Sequence, residues 1–205
     1  DMGYNYVVAG ETNDGRGMRV GVISRLPIIS TTSYKFTTLT LPNEKQTWTF
    51  ARDLMQVRIE VSPKQTLNLF VVHFKSRRHS SGDKNSTKWR TAEASAALRI
   101  IHRLLAGEPD RWVALVGDLN ATLDSPSRRL LLESGQSGEP VLYDAHVQLA
   151  KDQRITFPNP AYISVLDYIM VSKAMQSHLV KDSPWVGRDL TGSDHLPISA
   201  TFQLD

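Results

Sequence analysis

Cysteine is absent from all 205 residues. Disulfides and thiolate metal sites are therefore excluded, while the compartment stays open, because secreted and cytosolic proteins can each do without the residue. Long apolar runs are also missing, so no segment approaches the roughly 20 residues that a membrane-spanning helix needs. The opening "DMGYNYVVAG" has neither the basic start nor the apolar middle of a secretion signal. There is no internal repeat, low-complexity tract or linker. A large charge imbalance is lacking as well: 24 Lys and Arg stand against 21 Asp and Glu, which permits an anionic partner without requiring one. With 40% hydrophobic and 22% charged residues, the chain is expected to form one soluble domain over residues 1–205 around a sizeable core.

Strand-like runs dominate the first part: "YNYVVAG", "RVGVISRLPI", "DLMQVRIEV" and "TLNLFVVHF", separated by turn formers such as Asn13-Asp14-Gly15 and Pro63-Lys64. In "TLNLFVVHF", Leu67, Leu69 and Val71 share one side with His73, and Phe70, Val72 and Phe74 take the other. Apolar residues on both faces predict an interior strand of a sheet covered on both sides.

From Ser86 to Leu105 the period changes. At 100° per residue from Arg90, the positions Ala94, Ala97, Ile101 and Leu104 fall within about 40° of it, the narrow apolar stripe of a helix. Asn85 or Ser86 is expected to cap its start and Gly107 its end. Arg90 then points inward and needs an anion, either a protein carboxylate or a bound phosphate. The strand "RWVALVGDLN" follows, then a short helix from about Ser127 to Glu133, an irregular polar stretch to Pro160, and the strands "SVLDYIMVS" and "HLPISATFQL". Strands first, then strand, helix and strand, predict α+β or α/β with a mixed sheet.

Four strand ends share a property. His73 closes "LFVVHFKS", Asp118 and Asn120 close "VALVGDLN", Asp167 interrupts "VLDYIMV", and Asp194-His195 opens "SDHLPISATF". Polar groups are costly to bury without partners, so their gathering where apolar strands stop predicts a shared site. The period of two puts Asp118 and Asn120 on one side of their strand. Asp167 needs a cationic or hydrogen-bonding partner, and a histidine suits it, because a carboxylate on one ring nitrogen fixes the tautomer and supports the imidazolium.

"VVHFKS", "ALVGDLNATLDSP", "LDYIMVS" and "GSDHLPISATF", in that order, resemble the endonuclease/exonuclease/phosphatase superfamily, the group of deoxyribonuclease I, abasic-site endonucleases, inositol polyphosphate 5-phosphatases and bacterial sphingomyelinases; "GVISRLPI" is similar to an early strand of the same family. The resemblance implies a four-layered α/β sandwich, two mixed sheets packed together with helices outside. It also implies roles. Asp118 orients or activates the attacking water, Asn120 helps hold the phosphate, and Asp167 pairs with His195, which meets the scissile phosphate as acid, base or electrostatic clamp. Asp194, with Asp118, lies beside a divalent metal, Mg²⁺ or Mn²⁺, and His73 resembles the second histidine of the nuclease members. Such a set suits phosphodiester hydrolysis, which needs an in-line nucleophile, neutralisation of charge on the phosphoryl oxygens and help for the leaving oxygen.

The family's asparagine and glutamate motifs precede the part that "DMGYNYVVAG" resembles, and Glu11, in the turn "GETNDG", is no substitute. The 205 residues are accordingly expected to lack the N-terminal part of the fold. Between His73 and the helix, "KSRRHSSGDKNSTKWR" carries Lys75, Arg77, Arg78, Lys84, Lys88 and Arg90 against Asp83 alone. A basic loop at the rim of a phosphate site attracts a polyanion. Lys75 and Arg90 are the candidate substrate-binding residues, and Trp89 either stacks on a base or packs beside the helix. A metal-dependent nuclease acting on nucleic acid is the expected activity. The alternatives are a phosphatase or lipid phosphodiesterase of the same superfamily, against which no apolar hairpin suited to membrane insertion is found, and a non-catalytic phosphate-binding or scaffold module.

Overall fold

A computed structural model describes residues 2–133 and 139–204 of the chain. Its centre is a six-stranded mixed sheet in the order β3-β4-β5-β6-β8-β7. The strands are β3 (Ile28–Ser33), β4 (Leu54–Ser62), β5 (Gln65–His73), β6 (Trp112–Asp118), β7 (Tyr143–Asp144) and β8 (Asp167–Val171). Among the described residues only β5 and β6 run parallel, and the helix α1 (Thr87–Gly107) makes the crossover between them. β1 (Tyr6–Ala9) and β2 (Gly21–Ser24) form one antiparallel ribbon, and β9 (Trp185–Val186) and β10 (Ile198–Ser199) another. Two short α-helices, α2 (Pro126–Leu132) and α3 (Lys173–Gln176), and two 3-10 turns at Lys84–Ser86 and Lys151–Arg154 accompany them among the described residues. No helix among the described residues is long and apolar enough to cross a membrane.

The expected interior strand β5 lies between β4 and β6. Its alternation separates two cores. Phe70, Val72 and Phe74 pack with Ala94, Ala97 and Ile101 of α1, whereas Leu67, Leu69 and Val71 face Val8 and Val22 of the first ribbon. Burying an aromatic or aliphatic side chain of this kind stabilises by about 1.5–3 kcal/mol, so the alternation fixes which face each strand end presents. α1 and α2 cover one face of the sheet, and the ribbons together with α3 the other, in the mixed α/β arrangement expected; the ribbons are two separate antiparallel pairs among the described residues.

Three local expectations differ from what is observed. The start of α1 is not capped by Asn85 or Ser86, both of which are left-handed; the buried Asp83 carboxylate instead accepts the N–H groups of Lys88 (3.0 Å) and Trp89 (2.9 Å). "HLPISATFQL" pairs as a strand only at Ile198 and Ser199, since Pro197 has no N–H to donate and seats its ring against Gly187. Asp167 opens β8 rather than interrupting a longer strand. Residues 134–138 of the polar stretch lie outside the described residues.

Candidate active site

Register assembles the site. His73, the last residue of β5, pairs with Asp118, the last of β6, and Asp118 pairs with Asp167, the first of β8. The three side chains therefore stand in one row across adjacent strands, on the ribbon face of the sheet. His73 Nε2 lies 3.3 Å from Asp118 Oδ2. The residue before Asp118 has to be glycine: Gly117 has φ +126°, and a Cβ there would sit 2.1 Å from the Val72 carbonyl oxygen.

Asn120 meets Asp118 by a turn rather than along an extended strand. Its backbone is left-handed at φ 48°, its N–H donates to Asp118 Oδ1 (2.6 Å), and its amide donates to Asp118 Oδ2 (3.0 Å) and to the Phe74 carbonyl (3.1 Å). Asn tolerates that conformation because its side chain bonds locally.

His195 arrives from the other layer. Its Nδ1 is 2.7 Å from Asp167 Oδ2, and its ring lies 5.0 Å from that of Phe157. The buried Thr156 ties the two together. Its hydroxyl accepts the N–H groups of Leu166 (3.0 Å) and Asp167 (3.2 Å), and its carbonyl accepts that of Leu196 (2.7 Å). The segment carrying His195 and the start of β8 therefore share one anchor. Asp194 is exposed beside His195.

Burial sets the charges of the row. The Asp118 carboxyl is pushed up to about 7, first by burial and then by the charge of Asp167. The imidazole of His73 is pushed down to about 4, again by burial first and then by Arg52 and His195. His195 moves the opposite way, raised chiefly by its hydrogen bond to Asp167. One histidine is thus held neutral and the other favoured as imidazolium, the separation that acid–base chemistry at one phosphate requires.

Sequence reasoning missed the support behind this row. Arg52, only 2% exposed, donates to the Phe74 carbonyl (2.9 Å), the same oxygen that accepts from Asn120, and pairs with Asp14 at 3.0 Å. The Asn13-Asp14-Gly15 turn is therefore tied to the site. Glu93, wholly buried on α1, accepts the N–H of Ala51 (2.8 Å) and of Lys75 (2.7 Å), which flank β4 and β5. Arg90 points inward as expected, 4% exposed, and donates to the Lys75 carbonyl at 3.1 Å. Lys75 lies 5.2 Å from the centre of the Trp89 ring, and Trp89 packs against the core with its indole N–H on the Thr49 carbonyl. Of the other cations in the basic loop, Arg77 lies over the Tyr162 ring at 4.6 Å and Lys88 pairs with Glu44 at 2.7 Å. Glu11 is exposed and bridged to Lys35.

A divalent ion is implied by the resemblance, and the described residues do not compose its site. No three His, Asp or Glu side chains among them converge for a metal. Asp118 has its oxygens on Asn120 and beside His73, and Asp167 has one on His195.

A mixed α/β fold with paired acids and histidines at neighbouring strand ends defines a class of phosphoester hydrolases. The chain belongs to the Endonuclease/Exonuclease/phosphatase family, which it matches over residues 1–189. Comparison with curated proteins gives no match. Among solved structures it is similar to truncated TDP2 from Caenorhabditis elegans, with 15% identity, a TM-score of 0.67, and coverage of 96% of this chain and 74% of that one. TDP2 from D. rerio complexed with single strand DNA product gives 21% identity, a TM-score of 0.64, and coverage of 97% and 77%. An endonuclease/exonuclease/phosphatase family protein from Leptotrichia buccalis gives 17% identity, a TM-score of 0.61, and coverage of 97% and 71%.

Proposed function

We propose that this chain hydrolyses phosphodiester bonds of nucleic acid by attack of water on phosphorus. The observation that carries the reading is the row His73, Asp118 and Asp167, in register across three strands, with Asn120 hooked onto Asp118 and His195 onto Asp167. Asp118 takes the proton of the attacking water, its carboxyl lifted into the range where a base is effective near neutrality. His195, held through Nδ1, presents Nε2 to the phosphate and offsets the charge that develops on the phosphoryl oxygens. His73 supplies a neutral imidazole on the other side, and the Asn120 amide holds the base in place. Lys75 contacts the substrate, and buried Arg90 adds its positive field. Dependence on Mg²⁺ or Mn²⁺ belongs to the reading through the family, but Asp118 and Asp194 do not by themselves make an ion site among the described residues, and no step here is routed through an ion.

Nucleic acid is favoured as substrate by the cations of the cleft beside this row and by likeness to a TDP2 complexed with single strand DNA product. Hydrolysis of bis-p-nitrophenyl phosphate and of single-stranded DNA and RNA, each with Mg²⁺, Mn²⁺ or chelator, tests it. Turnover on the small diester and on at least one polymer is expected. Turnover on neither overturns the phosphodiesterase, and turnover on the small diester alone overturns the choice of substrate.

A further inference from the structure

Beside the row lies a concavity, about 320 Å³ in volume, whose Arg16, Arg78 and Trp89 the proposed chemistry does not use. It is lined by Arg16, Arg52, Lys75 and Arg78, with Asp14 as its carboxylate and Trp89 as its aromatic wall. Arg16 chelates Asp14 through Nε (3.2 Å) and Nη2 (3.0 Å), and Arg52 reaches the same carboxylate at 3.0 Å, so four cations share one acid and the lining keeps a net positive charge. The crowding is felt within it: Lys75 is pushed below the ordinary lysine range, first by burial and then by Arg52. An anion entering there relieves that repulsion.

The wall is fixed in place. Asn13 donates through its amide to the carbonyls of Lys35 (2.8 Å) and Phe50 (2.9 Å), and Asp14 Oδ1 accepts the Arg16 N–H at 2.8 Å. Trp89 is anchored through its indole N–H to Thr49. The concavity adjoins the row through Arg52, which lines it and also shares the Phe74 carbonyl with Asn120. Arg52 and Lys75, the residue two beyond His73, therefore place the cleft on the flank of the row.

Resting on the phosphodiesterase reading, we propose that the cleft between the 13–16 turn and the first turn of α1 is a second subsite for a single nucleic-acid strand, taking the phosphate next to the scissile one between Arg16 and Arg78 and its base against Trp89. Base stacking on an aromatic is sequence-tolerant, and arginine adds a phosphate contact without base readout. The subsite thus gives affinity for a chain over a small diester and no preference for sequence.

The test uses the full chain and a fluorescent single-stranded phosphorothioate oligonucleotide that resists hydrolysis. The double variant Arg16→Ala, Arg78→Ala should bind it about tenfold more weakly near 0.1 M salt. Its slope of log affinity against log salt should be shallower by about 0.7–1.4, the share of one or two single-strand phosphate contacts. Hydrolysis of bis-p-nitrophenyl phosphate should stay within about twofold of the parent, since neither arginine belongs to the row. Quenching of tryptophan fluorescence by the oligonucleotide should weaken in Trp89→Phe. Unchanged affinity and slope in the double variant overturn the subsite, and so does equal loss on the oligonucleotide and the small diester. A parent protein inert towards every phosphodiester overturns the underlying reading instead, so the two failures are distinguishable.

Discussion

The two ends of the six-stranded sheet make opposite use of polar residues. At the end where β5 and β6 finish, His73 and Asp118 stand side by side with Asp167, half-buried, with Asp118 bonded to Asn120 and Asp167 to His195 and Thr156. At the other end, Arg58, Lys64, Glu108, Asp110 and Arg111 surround a larger cavity of about 550 Å³. There the Arg111–Glu108 pair is local, three residues apart in sequence, and its acid is 64% exposed. The cavity has charges of mixed sign with an exposed acid among them, and the row has charges displaced by burial. Burial of partnered titratable groups, more than cavity volume, sets the proposed catalytic end of this sheet apart.

The sharpest way to break that contrast is at His195. Replacing it with Ala removes the imidazolium from the phosphate and leaves Asp167 without its partner, so kcat on bis-p-nitrophenyl phosphate should fall about 10²–10⁴-fold while circular dichroism stays native. Asp118→Asn should fall as far, because its amide cannot take a proton from water. A loss below about fivefold in either variant removes that residue from the proposed chemistry.

The row was legible in the sequence because it rests on two simple rules. Strand alternation assigns His73 to the face of Leu69 and Val71, and apolar runs make the acids at their ends conspicuous. The support behind the row was not legible. Glu93 stands about 60° from Arg90 on the helical wheel, outside the counted stripe, and its two partners, Ala51 and Lys75, are backbone N–H groups that no side-chain pattern reveals. Arg52 precedes β4 without an acid nearby in the chain other than Asp53, and its partner Asp14 comes from a turn that reads as solvated. Thr156 belongs to the irregular stretch before β8. The glycine of "GDLN" did carry a signal, since only its backbone fits beside the Val72 carbonyl.

Glu93 sharpens the contrast through stability. Its carboxyl is pushed up to about 7 by burial, against backbone hydrogen bonds and arginines that pull it down. The folded chain thus holds this proton more tightly than the unfolded chain does. The stabilisation is complete below about 4.5 and is lost as pH rises through about 7. His73 works in the opposite sense, costing stability as pH falls from 6.5 towards 4, so the variant has to be compared with the parent at each pH. Glu93→Gln should flatten the decline of Tm between pH 5 and 8, by several degrees at about 2–4 °C per kcal/mol for a chain of this size. Identical pH profiles for variant and parent would mean that Glu93 ionises as it does in water.

The smallest expected effect comes from the far cavity, and it tests whether volume and positive charge alone make a site. Arg58 and Lys64 are both exposed there, on β4 and on the turn leading into β5. If nucleic acid is attracted merely by surface cations, removing two of them should weaken binding wherever they sit. If it is held by the end that carries the row, the double variant Arg58→Ala, Lys64→Ala should match the parent within about twofold in oligonucleotide affinity and in hydrolysis of both substrates, because interactions beyond a Debye length of about 10 Å are screened at 0.1 M salt. A salt slope reduced as much as in the Arg16 and Arg78 variant would erase the distinction between the two ends, leaving a protein that binds polyanions all over its surface.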